Sequence, residues 1–338
     1  AVRGGLAMVS IGVSLFFAEI SGSAVADVAA LGSILIPEMK KRGYGAPFAA
    51  AVTSSSASLA IMIPPSIPMI LYAVSANTSV EQLFVAGFIP GLMGAIGLMG
   101  VSWWFARRYN LPVEEAFNWP RLRHAAIEAG PTFLLPIIIL GGIFGGFVTA
   151  TEAAGLAVLA AIGVGIWYRE VDFRQLHRAM LEGGMQTAVV MVLVAASVLM
   201  GGFLTRAQIP QELAAQMVAF TDSKYVILLI LNVFFLIIGF FLHSAAAIIL
   251  VVPIVVPLIQ QVGIDPVHFG LVVTLNLAIG QQTPPVASVL ITACSIARAN
   301  IWEVTRVNLP FIAVLVGVLL ICTYVPAIPM FLVELFYR

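Results

Sequence analysis

Charge is scarce in this chain of 338 residues: Asp, Glu, Lys and Arg together supply 9% of it, against roughly 25% in an ordinary soluble domain. Sixteen basic and sixteen acidic residues leave no net charge, so the basic surface that a nucleic-acid partner needs is missing. Cysteine is nearly absent. Cys294 and Cys322 lie inside apolar segments and read as small core residues, with no disulfide expected. There is no Walker loop, GxSxG or HExxH stretch, and no carboxylate pair at metal-ligand spacing, so nothing points to an enzyme. Transport driven by ATP would need a nucleotide domain on another chain. No cleavable signal peptide is visible.

What is abundant is apolar length. Hydrophobic residues make up 61% of the chain, and runs such as Tyr225–Leu242 and Phe311–Tyr324 approach or reach the ~20 residues that cross a bilayer. One such run could be a buried core helix, but about nine of them make lipid the solvent. The expected fold class is therefore an all-α polytopic membrane protein.

Two stretches share one design. Residues 53–68 read TSSSASLAIMIPPSIP and residues 274–286 read TLNLAIGQQTPPV. Each is an apolar helix running through small or amide residues into Pro-Pro, which cannot continue a helix because one ring removes a donor and the next restricts the residue before it. Pro37 and Pro257, Pro64 and Pro284, Pro65 and Pro285, and Pro90 and Pro310 are each 220 apart. Interrupted helices at matching places in two halves point to a transporter's binding site.

The order of segments repeats. A helix over 6–20 precedes an expected re-entrant hairpin over 21–42, then a broken helix over 44–74, a short amphipathic piece over 80–83 and a span over 85–105. A linker, 107–123, carries four arginines. In the second half a span over 225–242 precedes a hairpin over 243–262, a broken helix over 266–298, an amphipathic piece over 301–306 and a last span over 309–335. The division expected is a first repeat over 1–106, the cytoplasmic linker, and a second repeat over 124–338. Non-helical backbone at membrane depth must be buried in protein or line a cavity.

Basic loops place Lys40–Arg42 and the linker in the cytoplasm, whereas residues 75–82 and 260–266 carry no Lys or Arg. The two hairpins then enter from opposite faces, as inverted repeats. Inversion needs an odd number of crossings between them. Counting 44–74, 85–105, 187–204 and 225–242 as single crossings predicts one crossing for 125–168, interrupted at Gly141–Gly142 and 145–151. This leaves Arg169, Arg174 and Arg178 outside, against the charge rule. The chain begins with Ala, and only one helix precedes the first hairpin; repeat symmetry predicts roughly 90 further residues ahead of it.

Breaking a helix leaves carbonyls that suit Na⁺ and N–H groups that suit a carboxylate. The first half offers Ser21, Gly22, Ser23, Ser54, Ser55, Ser56 and Ser66. The second offers His243, Ser244, Asn276, Gly280, Gln281, Gln282 and Thr283. Small residues also let helices pack closely, but two matched clusters beside two Pro-Pro breaks favour a site. Asp27 is an ionisable residue in apolar sequence, and can serve either the hairpin's own backbone or a ligand. Glu152, three residues after Thr149, reads as a helix cap. Glu19 marks the end of a span. His243 is the least expected residue, opposite Ser23 by the offset, and either rests at an interface or meets an anionic substrate in a pH-sensitive way.

At SGSAVADVAALGSILIPEMKKRGYG (21–45), IMIPPSIPMILYAV (61–74), GGIFGGFVTATEAA (141–154) and NLAIGQQTPPVASVLI (276–291) the chain resembles the DctM-type large membrane subunit of the tripartite ATP-independent periplasmic (TRAP) transporters. The resemblance covers essentially the whole chain. It implies an elevator-type, Na⁺-coupled importer of organic acids in the bacterial inner membrane. The implied partners are a small four-helix membrane subunit and a periplasmic substrate-binding protein. It also implies one sodium site at Ser21, Gly22 and Ser23 with backbone near Ser56 and Pro64, and another at Ser244 with Gly280, Gln281, Thr283 and Pro284. Ser21, Ser66 and His243 are the residues expected to face substrate, and no cofactor other than the coupling ion is expected. The alternative is a stand-alone Na⁺- or H⁺-coupled di- or tricarboxylate symporter of the same architecture. Two departures stand out: His243 replaces an acidic residue in the family's FLD pattern, and Ala150 replaces the proline of TPTEA.

Overall fold

The computed structural model describes residues 3–111, 118–221 and 223–337; part of the expected linker, 112–117, lies outside these. The chain forms α1 (Gly5–Ser21), α2 (Ala24–Lys41), α3 (Ala46–Ala57), α4 (Leu59–Met62), α5 (Ile67–Ala76) and α6 (Val80–Arg108). There follow α7 (Trp119–Glu128), a 3-10 turn at Gly130–Phe133, α8 (Leu134–Phe144), α9 (Ala150–Trp167), α10 (Phe173–Arg206) and α11 (Ile209–Phe220). The last elements are α12 (Lys224–Phe241), α13 (Ser244–Gln261), α14 (Pro266–Gly280), α15 (Ser288–Ala297), α16 (Ile301–Tyr324) and α17 (Ala327–Tyr337). Seven helical stretches among the described residues are long and apolar enough to cross a membrane, with α3 to α5 counted as one. Two compact units form, Ala1–Glu114 with Ser197–Arg338, and Glu115–Ala196.

Both broken helices are present. The first stops at Met62 and restarts at Ile67; the second stops at Gly280 and restarts at Ser288. The hairpins differ from expectation. Residues 21–42 do not turn back on themselves, because α2 is one helix of 18 residues. The turn lies just before it, where Gly22 is left-handed (φ 61°) and Ser23 extended. Likewise 243–262 is one helix, α13, preceded by extended Leu242 and His243. The helix pairs are thus α1–α2 and α12–α13. The polar and small residues of 21–38 are poor for an ordinary lipid-facing span, yet Ala, Val, Leu and Ser pack well in a helix lined by protein.

Two further boundaries move. Residues 80–105 form one helix: the Ser79 hydroxyl caps its start by accepting from the Gln82 amide (3.2 Å), and the helix continues through Pro90. Residues 301–324 are likewise continuous from an Asn300 cap, and the expected last span ends there. Pro326 cannot donate to the helix, so the chain restarts as α17.

Packing repeats across the halves of the larger unit. α1 packs on α3 as α12 packs on α14; α2 packs on α15 as α13 packs on α5; α6 packs on α14 as α16 packs on α3. Each helix pair therefore lies against the restarted half-helix of the other repeat. Lys40 at the end of α2 donates to the last carbonyl of α15, Ala297 (2.9 Å), where a cation meets the negative end of a helix.

In the smaller unit α8 packs against α9, and the Tyr168 hydroxyl donates to the Glu128 carbonyl. The stretch 125–168 therefore returns to the end it left, rather than crossing once. The turn forms because Gly145 and left-handed Gly146 stop α8. Thr149 and Glu152 then start α9 with the expected reciprocal cap: the Thr149 amide donates to the Glu152 carboxylate (2.8 Å), and the Glu152 amide to the Thr149 hydroxyl (3.3 Å).

Candidate functional site

Each helix-pair tip docks on a helix break. At the first, the Ile67 amide donates to the Gly22 carbonyl (3.3 Å). Gly22 is required there twice over. Its φ is left-handed, and a Cβ would sit 2.8 Å from the Pro65 carbonyl oxygen. Ser21 faces back into the tip: its hydroxyl donates to Asp27 and accepts from the Ser23 amide (3.2 Å). Asp27 is fully buried, its second carboxylate oxygen without a partner. Ser66 spans the break, donating to the Ile61 carbonyl (2.8 Å) and capping α5 at Met69. The Met62 carbonyl is met by Gly87 of α6, where a Cβ would come to 2.3 Å.

The second tip repeats the design with other atoms. The Val286 amide donates to the Phe240 carbonyl (3.2 Å). Gly239 lies on Gly280 backbone to backbone, with ideal Cβ positions 2.5–3.1 Å from the opposing Cα. After Gly280 the chain coils through Gln281 and Gln282, and the Thr283 hydroxyl donates to the Ile279 carbonyl (3.1 Å). Ala287 is left-handed (φ 45°) before α15 begins.

The two breaks are tied to each other. The Gln282 side-chain amide donates to the Ser54 carbonyl and the Ser58 hydroxyl, while its oxygen accepts from Asn308 (3.2 Å). Asn308 in turn accepts from Ser55 (2.5 Å). All five residues are fully buried. Ser58 also donates to Ala278 (3.5 Å), the residue 220 positions on. A second chain of amides links Asn276 to Asn232 (2.6 Å) and Asn232 to Thr323 (3.1 Å). Its counterpart in the first half is Ser14 bonded to Ser56 (2.9 Å).

A cavity of about 30 Å³ opens where these parts meet, lined by Gly22 and Ser23, by His243 and Ser244, by Ile61 and Ile67 and by Gln281. Three helices begin at its wall: α2 at Ala24, α5 at Ile67 and α13 at Ser244. The N-caps of α2 and α13, Ser23 and His243, make no side-chain cap bond. First-turn N–H groups at α2 and α13 suit an anion, whereas α5, whose Ile67 and Met69 amides are already bonded and whose Pro68 has none, adds only its positive end.

Of the residues singled out from the sequence, Gly22, Ser23, His243, Ser244 and Gln281 line this cavity. Ser21 and Ser66 lie behind it, holding the tip and the break. Ser56 is bonded to Ser14, Gly280 is packed on Gly239, and Pro64 and Pro284 lie in the breaks. Sequence reasoning did not single out Asn232 and Asn308, although an amide inside runs such as Lys224–Phe241 was the available signal.

The pattern of the family described as "Tripartite ATP-independent periplasmic transporter, DctM component" matches residues 1–328. The isethionate TRAP transporter permease protein DctMQ of Oleidesulfovibrio alaskensis is 42% identical over 333 residues, covering 98% of this chain and 52% of that protein. The C4-dicarboxylate TRAP transporter large permease protein DctM of Pseudomonas aeruginosa is 37% identical, covering 97% of this chain and 77% of the relative. The sialic acid TRAP transporter large permease protein SiaM of Vibrio cholerae is 36% identical, covering 99% and 79%. The chain thus spans about half the length of the first of these relatives and over three quarters of the others. These relatives are transporter permeases rather than enzymes, and the apolar helices fit a multi-pass protein of the inner membrane. With this match over nearly every residue, the chain belongs to the DctM component family of TRAP transporters.

Proposed function

We propose that this chain carries an organic acid across the inner membrane, coupled to Na⁺, supplied by a periplasmic binding protein and working beside a small membrane subunit. The observation that carries the reading is the convergence of three helix N-termini on one cavity between the two tips. A carboxylate or similar anion is the ligand class such a wall stabilises. His243 adds a polar ring at the same wall. The relatives described above are named for isethionate, C4-dicarboxylates and sialic acid, all organic acids, and agree with this class.

Na⁺ is written here as cargo. Hard oxygen donors suit it, and the tips supply the hydroxyls of Ser21 and Ser23 and the carbonyls of the break near Ser56 and Pro64. At the second tip, Ser244 stands with Gly280, Gln281, Thr283 and Pro284. The cavity holds about two water-sized spheres, too few for any of these acids. Loading therefore requires the tips to part, and moving the loaded tips together past a fixed scaffold is the elevator motion we propose.

The test is uptake into proteoliposomes containing the assembled transporter. Accumulation should depend on an inward Na⁺ gradient; uptake indifferent to that gradient would remove the coupling. His243→Ala should raise KM about tenfold, the loss of roughly one hydrogen bond to a charged group. An unchanged KM would place the substrate elsewhere.

A further inference from the structure

A second cavity, of about 260 Å³, lies away from the tips at the start of α12, the α13–α14 turn and the start of α17. Its counterpart in the first half is closed. There Tyr44, Phe48, Phe105 and Tyr109 pack ring to ring in series, with ring centroids 6.1, 5.4 and 5.5 Å apart. The residues that follow Tyr44 and Phe48 by 220 are Ile264 and His268. Matched by helix starts beyond the breaks, α5 at Ile67 with α15 at Ser288 and α6 at Val80 with α16 at Ile301, the halves are 221 apart, one more than the paired prolines, and Phe105 and Tyr109 then fall at Pro326 and Met330. All four replacements line the cavity. The fold does not require this opening; the side chains make it.

The walls carry charge of both signs. Lys224 stands at one side, with its Nζ 5.4 Å from the centre of the Tyr225 ring, and Asp265 and Glu334 complete the charged lining. His268 is only 3% exposed. Its Nε2 lies 2.7 Å from the Cys322 carbonyl, which can only accept, so this nitrogen carries the proton and Nδ1 of the neutral ring is left as an acceptor. Asp265 is committed in part to the amides of Val267 and His268.

The cavity lies at the ends of three helices of membrane length: α12 begins there, α13 ends beside it and α16 stops at Tyr324. Tyr225 and Tyr324 pack 6.1 Å apart at that level, as aromatic residues do at the headgroup boundary. Apolar Leu228, Ile264 and Met330 complete the wall.

We propose that this cavity binds the phosphoethanolamine headgroup of a membrane lipid, its phosphate on Lys224 and its ammonium toward Glu334 and His268 Nδ1. A primary ammonium donates three hydrogen bonds and a choline none, so the site should distinguish the two lipids. The test is native mass spectrometry of the purified protein, in detergent doped with phosphatidylethanolamine or phosphatidylcholine. Retention of the ethanolamine lipid should exceed that of the choline lipid by about tenfold, one charge-assisted bond. Glu334→Gln, at an exposed position, should remove most of that preference. His268→Phe, which keeps a ring at the place of Phe48 but removes the Nδ1 acceptor, should weaken it too. Equal retention of both lipids, or a preference untouched by Glu334→Gln, would overturn the proposal. Competition by free phosphoethanolamine at the same potency as the lipid would overturn the lipid assignment in favour of a soluble zwitterion.

Discussion

Gly280→Ala should abolish transport while leaving the protein able to insert in the membrane. The added Cβ would lie 2.5 Å from the Cα of Gly239 and 2.6 Å from its carbonyl carbon. Both are backbone atoms, so no side chain can turn aside, and α12 must move away from α14 by about 1 Å to reach ordinary contact. Overpacking of this kind costs about 1–3 kcal/mol. The larger loss is positional, because the tip that follows carries His243 and Ser244 to the cavity wall. A displacement near 1 Å costs about a hundredfold where a site depends on geometry. Uptake in proteoliposomes and the thermal midpoint in detergent read the two effects separately. Gly100→Ala is the control, since nothing lies within 4 Å of its Cβ position. Wild-type uptake by Gly280→Ala would show that the close approach is dispensable.

Gln282→Leu should be the most destabilising single change in the polar core. Leucine keeps much of the volume but removes an amide that serves Ser54, Ser58 and Asn308 at once. Buried groups left without partners cost about 1–3 kcal/mol each, so the expected loss over three partners is roughly 3–9 kcal/mol. Replacing Asn308 as well removes one stranded partner. The double variant Gln282→Leu, Asn308→Leu should therefore be more stable than the sum of the single losses predicts. Simple additivity of the thermal unfolding effects would mean that the two side chains do not share the network.

The breaks were legible because Pro-Pro leaves only one local outcome, and the offset of 220 carried one half onto the other. The tips were not, for a physical reason. Leu242 and His243 carry no glycine or proline to announce a turn, and α12 is as apolar as a full span, so composition cannot tell a helix that turns at its end from one that continues. Gly22 was the only local sign at the first tip. The network of Ser55, Asn308 and Gln282 joins residues far apart in sequence, and no periodicity predicts it. Phe48 and His268 could be paired by the offset, but the meaning of the exchange needed the packed rings around Phe48.

The crossing count shows how these misplacements interact. With α12 and α13 taken as a pair that returns, α12 no longer counts as a crossing. With 125–168 returning on itself, that stretch adds none or two. Three single crossings remain between the helix pairs: α3 to α5, α6 and α10. The number is still odd, as the expected inversion requires. Arg169, Arg174 and Arg178 now share a side with Arg121 and Arg123, and the conflict with the charge rule disappears.

The contact between Ser58 and Ala278 has a mechanical meaning. A residue that touches its own counterpart lies close to the axis relating the two halves, and Gln282 fastens the breaks together beside it. Rocking one half against the other would shear these buried bonds, which is costly. Sliding both halves as a single piston breaks none of them. In the elevator motion proposed above, the paired breaks would travel as one block, and the moving boundary would lie outside them.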